Sequence, residues 1–155
     1  MIAKFIKSVG YALKGIGTGI KNERNVRIDI VAAFYVFAFS VFYDFSKTEY
    51  LILILVCFNV LAFELMNTAV ERSVDKPDDA HYMQAGEAKD TAAGGVLLSA
   101  IGAAIIGILL FWDTEVFKEI YEYFTTDKSS WFLFVVVSVG AYRFIYDCFG
   151  LSNKR

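Results

Sequence analysis

The side chains best suited to chemistry lie in one stretch, FELMNTAVERSVDKP, residues 63–77. It holds three carboxylates and one amide at helical spacing: Glu64, Asn67, Glu71 and Asp75. At about 100° per residue, these four side chains fall within one quadrant of a single helix. Carboxylate oxygens are ligands for Mg²⁺, and a carboxylate can also act as a general base on an alcohol. The pattern therefore predicts a site that binds a divalent metal or removes a proton from a hydroxyl group.

A second polar stretch follows Pro77, which is expected to end the first helix because an interior proline removes a backbone hydrogen bond. A short loop carries Asp79 and His81, and Lys89 and Asp90 precede the next apolar segment. If a helix begins at Lys89, its free N–H groups and positive dipole end favour a phosphate. Phosphoryl transfer from a magnesium nucleotide depends mainly on positioning the reactants and neutralising their charge. A site with carboxylates, a lysine and the start of a helix could supply both.

Other interpretations of the same residues remain open at this point. Glu64 and Glu71 could line a proton or ion pathway. Alternatively, Glu64 could form a structural ion pair with Arg72 or Lys89. His81 alone is more typical of a loop contact than of a metal ligand. The glycine run at residues 15–19 is not a dinucleotide fingerprint, because an amphipathic segment and not a strand precedes it. A lipid phosphatase is disfavoured, since the chain lacks a phosphate site rich in arginine and histidine.

Composition indicates that these groups belong to a membrane protein. The chain has 155 residues, 57% of them hydrophobic, with a mean hydropathy of +0.49 and two cysteines. That length suits one domain, but the composition is too apolar for an ordinary soluble domain and excludes a disordered chain. Two cysteines exclude a disulfide-stapled secreted domain, and the net charge of −2 gives no basic surface for nucleic acid. We expect an all-α integral membrane helical bundle.

Four apolar segments could cross the bilayer. The clearest is 92–112, whose 21 uncharged residues span a hydrocarbon core of about 30 Å. The segments 30–43, 50–70 and 129–151 each contain an uncharged run of 14 residues. We expect these three helices to continue past the charged residues that limit the runs, since charges are tolerated where they face a bundle interior or the interface.

The placement of charge predicts interfacial helices and an orientation. Residues 1–28 carry six lysines and arginines against one glutamate, and their apolar residues recur every three or four positions, which is typical of an amphipathic helix on a membrane surface. The alternative is a helix packed on the rest of the protein. Residues 113–127 form a second, acidic amphipathic pattern. The excess of basic residues in the arm, in 71–91 and at the carboxyl end favours both termini in the cytoplasm.

The segment 92–112 also carries small residues at a spacing of four, namely Gly95, Ser99, Ala103 and Gly107. Small residues at this interval allow close approach of helix backbones in lipid. We expect a packing face there, either within the chain or between subunits.

Three blocks of this sequence resemble the prokaryotic diacylglycerol kinase family, which includes undecaprenol kinase. They are GYALKGI…NERNVR (10–27), FELMNTAVERSVD (63–75) and EAKDTAAGGVLLSA (87–100), within a resemblance that covers about residues 4–112. The resemblance implies a homotrimeric kinase of the bacterial inner membrane with an amphipathic amino-terminal helix and three transmembrane helices. It divides the chain into a lipid kinase domain, 1–112, and an extension, 113–155, with an acidic interfacial helix and a fourth transmembrane helix.

The same resemblance implies roles for individual residues. Glu64 would be the general base on the lipid hydroxyl, with Asn67 beside it, and Glu23 and Glu71 would hold magnesium. The remaining residues would contact the nucleotide, with the weaker contacts last: Lys89, Asp75, Asp90, Tyr11, Asp79 and His81.

The expected function is ATP-dependent transfer of the γ-phosphate to the hydroxyl of a membrane lipid alcohol, with Mg²⁺ as cofactor, at the cytoplasmic side of the bilayer. Because Ala-Lys-Asp is followed by residues 91–94 reading TAAG, the sequence is more similar to the undecaprenol kinase branch, which makes undecaprenyl phosphate. Diacylglycerol, giving phosphatidic acid, is the alternative substrate. A proton or ion pathway without enzymatic activity is the more remote alternative.

Overall fold

A computed structural model describes residues 1–74 and 83–146, and these residues form six α-helices without a strand. The predicted all-α class is therefore confirmed. The helices are listed in chain order: α1 Ile2–Asn22, α2 Arg24–Ser40, α3 Lys47–Val74, α4 Met83–Phe111, α5 Thr114–Thr126 and α6 Lys128–Tyr146.

Three of these helices, α3, α4 and α6, are long and apolar enough to cross a membrane. The helix α2 has 17 residues, about 25 Å at 1.5 Å per residue, which is the lower limit for a span. Large apolar side chains such as Leu55, Phe58 and Leu109 are exposed along these helices. Contiguous exposed apolar surface on this scale is typical of a lipid-facing protein.

The centre of the bundle is the hairpin of α3 and α4, which pack along each other, and α2 packs on α3. The extension adds α6, which packs on α2 and on α5. One hydrogen bond links α2 and α6, between Tyr35 Oη and Ser138 Oγ at 2.8 Å. The predicted fourth apolar helix is thus present from Lys128 to Tyr146 and lies against α2.

The amino-terminal helix α1 is joined to α2 by a single extended residue, Glu23 (φ −108°, ψ 121°). Apolar side chains in the first part of α1, including Phe5, Val9 and Leu13, are exposed. This exposure favours the interfacial interpretation of α1, because a helix packed on the bundle would bury that face. Only Gly19 of α1 is buried, and a Cβ atom there would collide with the Leu65 side chain of α3.

We call the end of the bundle that holds Glu23 the site end, and the opposite end the far end. At the far end, Asp113 caps α5 by accepting hydrogen bonds from the backbone N–H groups of Glu115 and Val116. Asp127 accepts hydrogen bonds from the Ser129 backbone N–H and from the Ser129 and Ser130 hydroxyl groups. These donors lower the pKa of the Asp127 carboxyl, because they stabilise its charged form. Two carboxylates therefore fix the turns into and out of α5.

Candidate active site

A buried polar face lies in the second half of α3, as the spacing of its residues predicts. Glu64 is 4% exposed and Asn67 is 9% exposed, although many of their neighbours on α3 face outward. Asn67 Nδ2 donates a hydrogen bond to Glu71 Oε1, one turn along, at 3.0 Å. Asp75, the fourth residue of the predicted quadrant, lies outside the described residues. The polar face thus consists of a buried carboxylate followed by an amide–carboxylate pair.

The α1–α2 junction covers the Glu64 carboxyl group. The Asn25 side chain lies beside it, and Glu23 and Glu71 are close enough to interact with it electrostatically. Asp29 of α2 interacts with Glu64 in the same way. Four carboxylates from three elements therefore share one region. Such a concentration of negative charge favours the binding of a cation, and it also favours the acceptance of a proton by one of the carboxylates.

One ion pair ties the junction to α3. Arg72 Nη2 donates to Glu23 Oε1 at 2.8 Å, and the two side chains are 42% and 32% exposed. This pair lies at the edge of the carboxylate region, within reach of solvent. Glu23 is thus held close to the α3 polar face, although α1 and α3 are distant in the sequence.

The donor atoms of the site fit magnesium that arrives with a nucleotide. The available groups are carboxylate and amide oxygens, and the Asn67 Oδ1 atom is buried without a hydrogen-bond partner. Among the described residues, no three histidine, cysteine or acidic side chains are grouped closely enough to form a metal cage. Mg²⁺ needs only one or two carboxylates when phosphate oxygens and water complete its shell. Glu71 and Glu23 match that requirement, and the orphaned Asn67 oxygen adds a further acceptor.

The structure corrects one expectation about Lys89 and Asp90. Helix α4 is already formed at Met83, so both residues lie in its second turn or later and not at its amino end. Their backbone N–H groups are within the helix and cannot cradle a phosphate, as a helix start would. Any phosphate contact there must come from side chains. Lys89 is half-buried and has an interaction partner, and Asp90 is exposed.

Two open grooves lie along the second half of α3. One, of about 540 Å³, lies between α3 and α4 and reaches from Asn67 to Thr91. The other, of about 560 Å³, lies between α1 and α3 and is lined by Tyr11, Lys14 and Arg72. Tyr11 is exposed and its ring lies 5.8 Å from Lys7 Nζ.

The nucleotide contacts expected at Asp75, Asp79 and His81 lie outside the described residues. The groups brought together are therefore Glu64, Asn67 and Glu71 on α3 with Glu23 at the junction.

Sequence reasoning missed two residues of this region, Asn25 and Asp29. Asn25 and Asp29 are four residues apart, so they share a face of α2 directly after the junction. That spacing was a usable signal for a polar helix face next to Glu23.

A third cavity connects the site end with the far end. It has a volume of about 580 Å³ and lies between α2, α3 and α4, from Asp29 to Trp112. Among its described lining residues Asp29 is the sole charged one, and the others are mostly alanine and branched aliphatic side chains. The cleft therefore offers an apolar surface whose polar end lies near Glu64.

Comparison with known proteins places this arrangement in a family. Residues 10–111 match the family model described as prokaryotic diacylglycerol kinase. The undecaprenol kinase of Bacillus subtilis (strain 168) is 37% identical over 108 residues, covering 70% of this chain and 88% of that protein. The diacylglycerol kinase of Escherichia coli (strain K12) is 29% identical over 110 residues, covering 71% of this chain and 90% of that protein.

A further relative is the diacylglycerol kinase of Haemophilus influenzae, which is 30% identical over 112 residues, covering 71% of this chain and 95% of that protein. The matched residues include the α1–α2 junction, the α3 polar face and all of α4. The helices α5 and α6 lie beyond them. The chain belongs to the prokaryotic diacylglycerol kinase family and is a lipid kinase, a transferase of the membrane.

Proposed function

We propose that this chain transfers the γ-phosphate of ATP to the hydroxyl of undecaprenol, with Glu64 as the general base. The observation that carries the proposal is the buried Glu64 carboxyl group beside the Asn67–Glu71 pair and near Asp29, which lines the end of an apolar cleft. A lipid alcohol seated in that cleft would bring its hydroxyl to the level of Glu64. A base must lie within hydrogen-bonding reach of the proton that it removes.

The transfer step uses few groups. The lipid oxygen forms a bond to the γ-phosphorus, the bond from that phosphorus to the bridging oxygen breaks, and ADP leaves. The hydroxyl proton passes to Glu64. Asn67 holds Glu71 in place through its amide N–H, and its unpaired carbonyl oxygen can accept a hydrogen bond from the bound reactants.

Magnesium and nucleotide belong to the same proposal. Glu71 and Glu23 would hold Mg²⁺, which, when bound, offsets the negative charge of the ATP phosphates. The Lys89 ammonium group would add positive charge at the phosphates, and Asp90 and Asp75 would complete the nucleotide site. Tyr11, Asp79 and His81 would make weaker nucleotide contacts. The α1–α3 groove lined by Tyr11 and Arg72 supports a nucleotide position beside Glu23.

The preference for undecaprenol is supported by the relative of that name, at 37% identity, and by residues 91–94, which read TAAG. Diacylglycerol remains the second candidate, supported by the relatives named diacylglycerol kinase. The apolar cleft alone fits the hydrocarbon part of either lipid. The deciding experiment compares the two lipid alcohols in one preparation with labelled ATP, and we expect undecaprenol to give the larger kcat/KM. A larger kcat/KM for diacylglycerol would overturn this substrate assignment.

The setting of the reaction is also proposed. Basic residues of α1 favour a site end in the cytoplasm and a location in the bacterial inner membrane. We propose a division into a kinase domain, 1–112, and an extension, 113–155, in line with a family match that ends at residue 111. We also propose assembly as a homotrimer, which the family resemblance implies.

A further inference from the structure

The carboxyl end of α6 is joined to the α1–α2 junction through the guanidinium group of Arg27. Its Nε atom donates a hydrogen bond to the Ile145 carbonyl oxygen at 2.9 Å. Its Nη1 atom donates to the carbonyl oxygens of Ile20 and Lys21, both at 3.0 Å. Ile145 lies in the last described turn of α6, and Ile20 and Lys21 lie in the last turn of α1. One side chain therefore bonds the end of α1 and the last described turn of α6.

The chemistry of this contact is specific. The last carbonyl groups of a helix have no partner within it, and they carry the negative end of its dipole. A guanidinium group satisfies several of them at once because its donors form a rigid planar fork. A lysine at position 27 would keep the charge but would place only one nitrogen between the two helix ends.

Two further contacts hold α6 in the same place. The Arg24 guanidinium group lies over the Tyr146 ring, 5.9 Å from its centroid. Farther along the helix, Tyr35 and Ser138 share the hydrogen bond between α2 and α6. Arg24, directly after Glu23, thus contacts Tyr146, the last described residue of α6, and neither of these two contacts depends on the Arg27 side chain.

We propose that α6 holds the α1–α2 junction in position and thereby positions Glu23, with Arg27 as a positioning residue. Glu23 is the single extended residue between α1 and α2, so the position of its backbone depends on how both helices are placed. Lys21 on one side of it and Arg24 on the other are tied to α6. Since α6 lies beyond the family-matched residues 10–111, it is an added element that steadies the site. The consequence for catalysis rests on the proposed function, which places Glu23 at the magnesium nucleotide.

The test uses the full-length chain in lipid nanodiscs with four variants, one of them a charge control. Arg27→Gln removes the bridge, and Tyr146→Ala removes the ring under Arg24 from the α6 side. Tyr146→Phe retains that ring. Arg143→Gln is the matched charge control, because Arg143 is an exposed arginine of the last α6 turn without a described bond to the junction. The first readout is amide hydrogen exchange in residues 17–27, where the Glu23 amide bonds to the Gly19 carbonyl oxygen at 2.8 Å.

We expect exchange in residues 17–27 to become about tenfold faster in Arg27→Gln, because hydrogen bonds from a charged group are lost. In Tyr146→Ala we expect the exchange rate to increase about two- to fivefold, which corresponds to the free energy of an exposed cation–π contact. Tyr146→Phe and Arg143→Gln should exchange as the unaltered chain does. In kinase assays, Arg27→Gln and Tyr146→Ala should raise the KM for Mg–ATP and leave the KM for the lipid unchanged.

One result would overturn the inference. If Tyr146→Ala leaves both the exchange and the KM for Mg–ATP unchanged, the α6 side of the contact does not hold the junction, and the inference fails. Impairment of Tyr146→Phe equal to that of Tyr146→Ala would overturn the assignment of this contact to the aromatic ring. The exchange measurement needs no substrate, so it decides the role of α6 even if the chain phosphorylates neither lipid.

Discussion

Arg72 of α3 donates a hydrogen bond to Glu23 at the α1–α2 junction, with 2.8 Å between Nη2 and Oε1. This ion pair brings one of the two proposed magnesium ligands to the helix that carries the other, Glu71. Because both side chains are partly exposed, the pair contributes only about 0–1 kcal/mol to stability. Its importance is geometric, because it holds Glu23 against the helix that carries Glu71.

The Glu23–Arg72 pair permits a controlled test of the metal assignment. Glu23→Gln and Arg72→Gln break the same ion pair, but only the first removes a carboxylate. We expect Glu23→Gln to lower kcat/KM for Mg–ATP about tenfold or more, the loss of one charged ligand interaction. Excess Mg²⁺ should recover part of that loss. Arg72→Gln should change the magnesium dependence by less than Glu23→Gln does, and equal losses in the two variants would argue against Glu23 as a ligand.

Asn67 is predicted to support catalysis through its bond to Glu71. Asn67→Ala should lower kcat about tenfold, because the Glu71 carboxylate loses the amide donor that orients it. Met66→Ala, at an exposed position one residue earlier on α3, is the control and should retain the unaltered kcat. Steady-state kinetics with saturating lipid would measure both. An unchanged kcat in Asn67→Ala would remove this residue from the mechanism.

The close contact of α1 with α3 is predicted to depend on the absence of a side chain at Gly19. Gly19→Ala should destabilise the docking of α1 by about 1–3 kcal/mol, because its Cβ would overlap the Leu65 side chain. Gly17→Ala has open space and should be neutral or stabilising by up to about 1 kcal/mol, since alanine favours a helix. Thermal unfolding in detergent measures both variants. Adding Leu65→Ala to Gly19→Ala should restore part of the loss, and a loss equal in Gly17→Ala would contradict the packing argument.

The turn between α5 and α6 is predicted to weaken in acid. The pKa of Asp127 is lowered by hydrogen bonds from Ser129 and Ser130, so the folded state binds this proton less readily than the unfolded chain. Its contribution to stability is therefore complete above the ordinary carboxyl pKa, and it is lost as the pH falls through the lowered value. Asp127→Ala should lower the Tm at neutral pH, and the difference from the unaltered chain should shrink below pH about 4. A difference that persists unchanged at low pH would refute this role of the carboxylate.

Periodic patterns account for most of what the sequence predicted correctly. The amphipathic helices at residues 2–22 and 114–126 and the polar face of α3 follow from spacing within one element, because helical side chains repeat every 3.6 residues. The predicted start of α4, at Lys89, was wrong by at least six residues, because the helix is already formed at Met83. Residues 83–90 are too polar to continue the apolar pattern, so the helix extends past the only signal that marked it.

Contacts between distant elements could not be inferred in the same way. Glu23 entered the site only through the family resemblance, since nothing in its neighbourhood indicates that it approaches Glu64. Arg27 and Ile145 are 118 residues apart, and their contact depends on how α6 packs on α2. Tertiary packing decides such pairs, whereas local spacing carries no information about them.

The most direct test of the account is the activity of Glu64→Gln. Glutamine has nearly the same size as glutamate and can keep the contact with Asn25, so the fold should persist, with an unchanged Tm. We predict that phosphorylation of undecaprenol from labelled ATP falls at least about 100-fold, the contribution typical of a general base. Activity within about twofold of the unaltered chain, in a variant that unfolds at the same temperature, would contradict the assignment of Glu64 as the base.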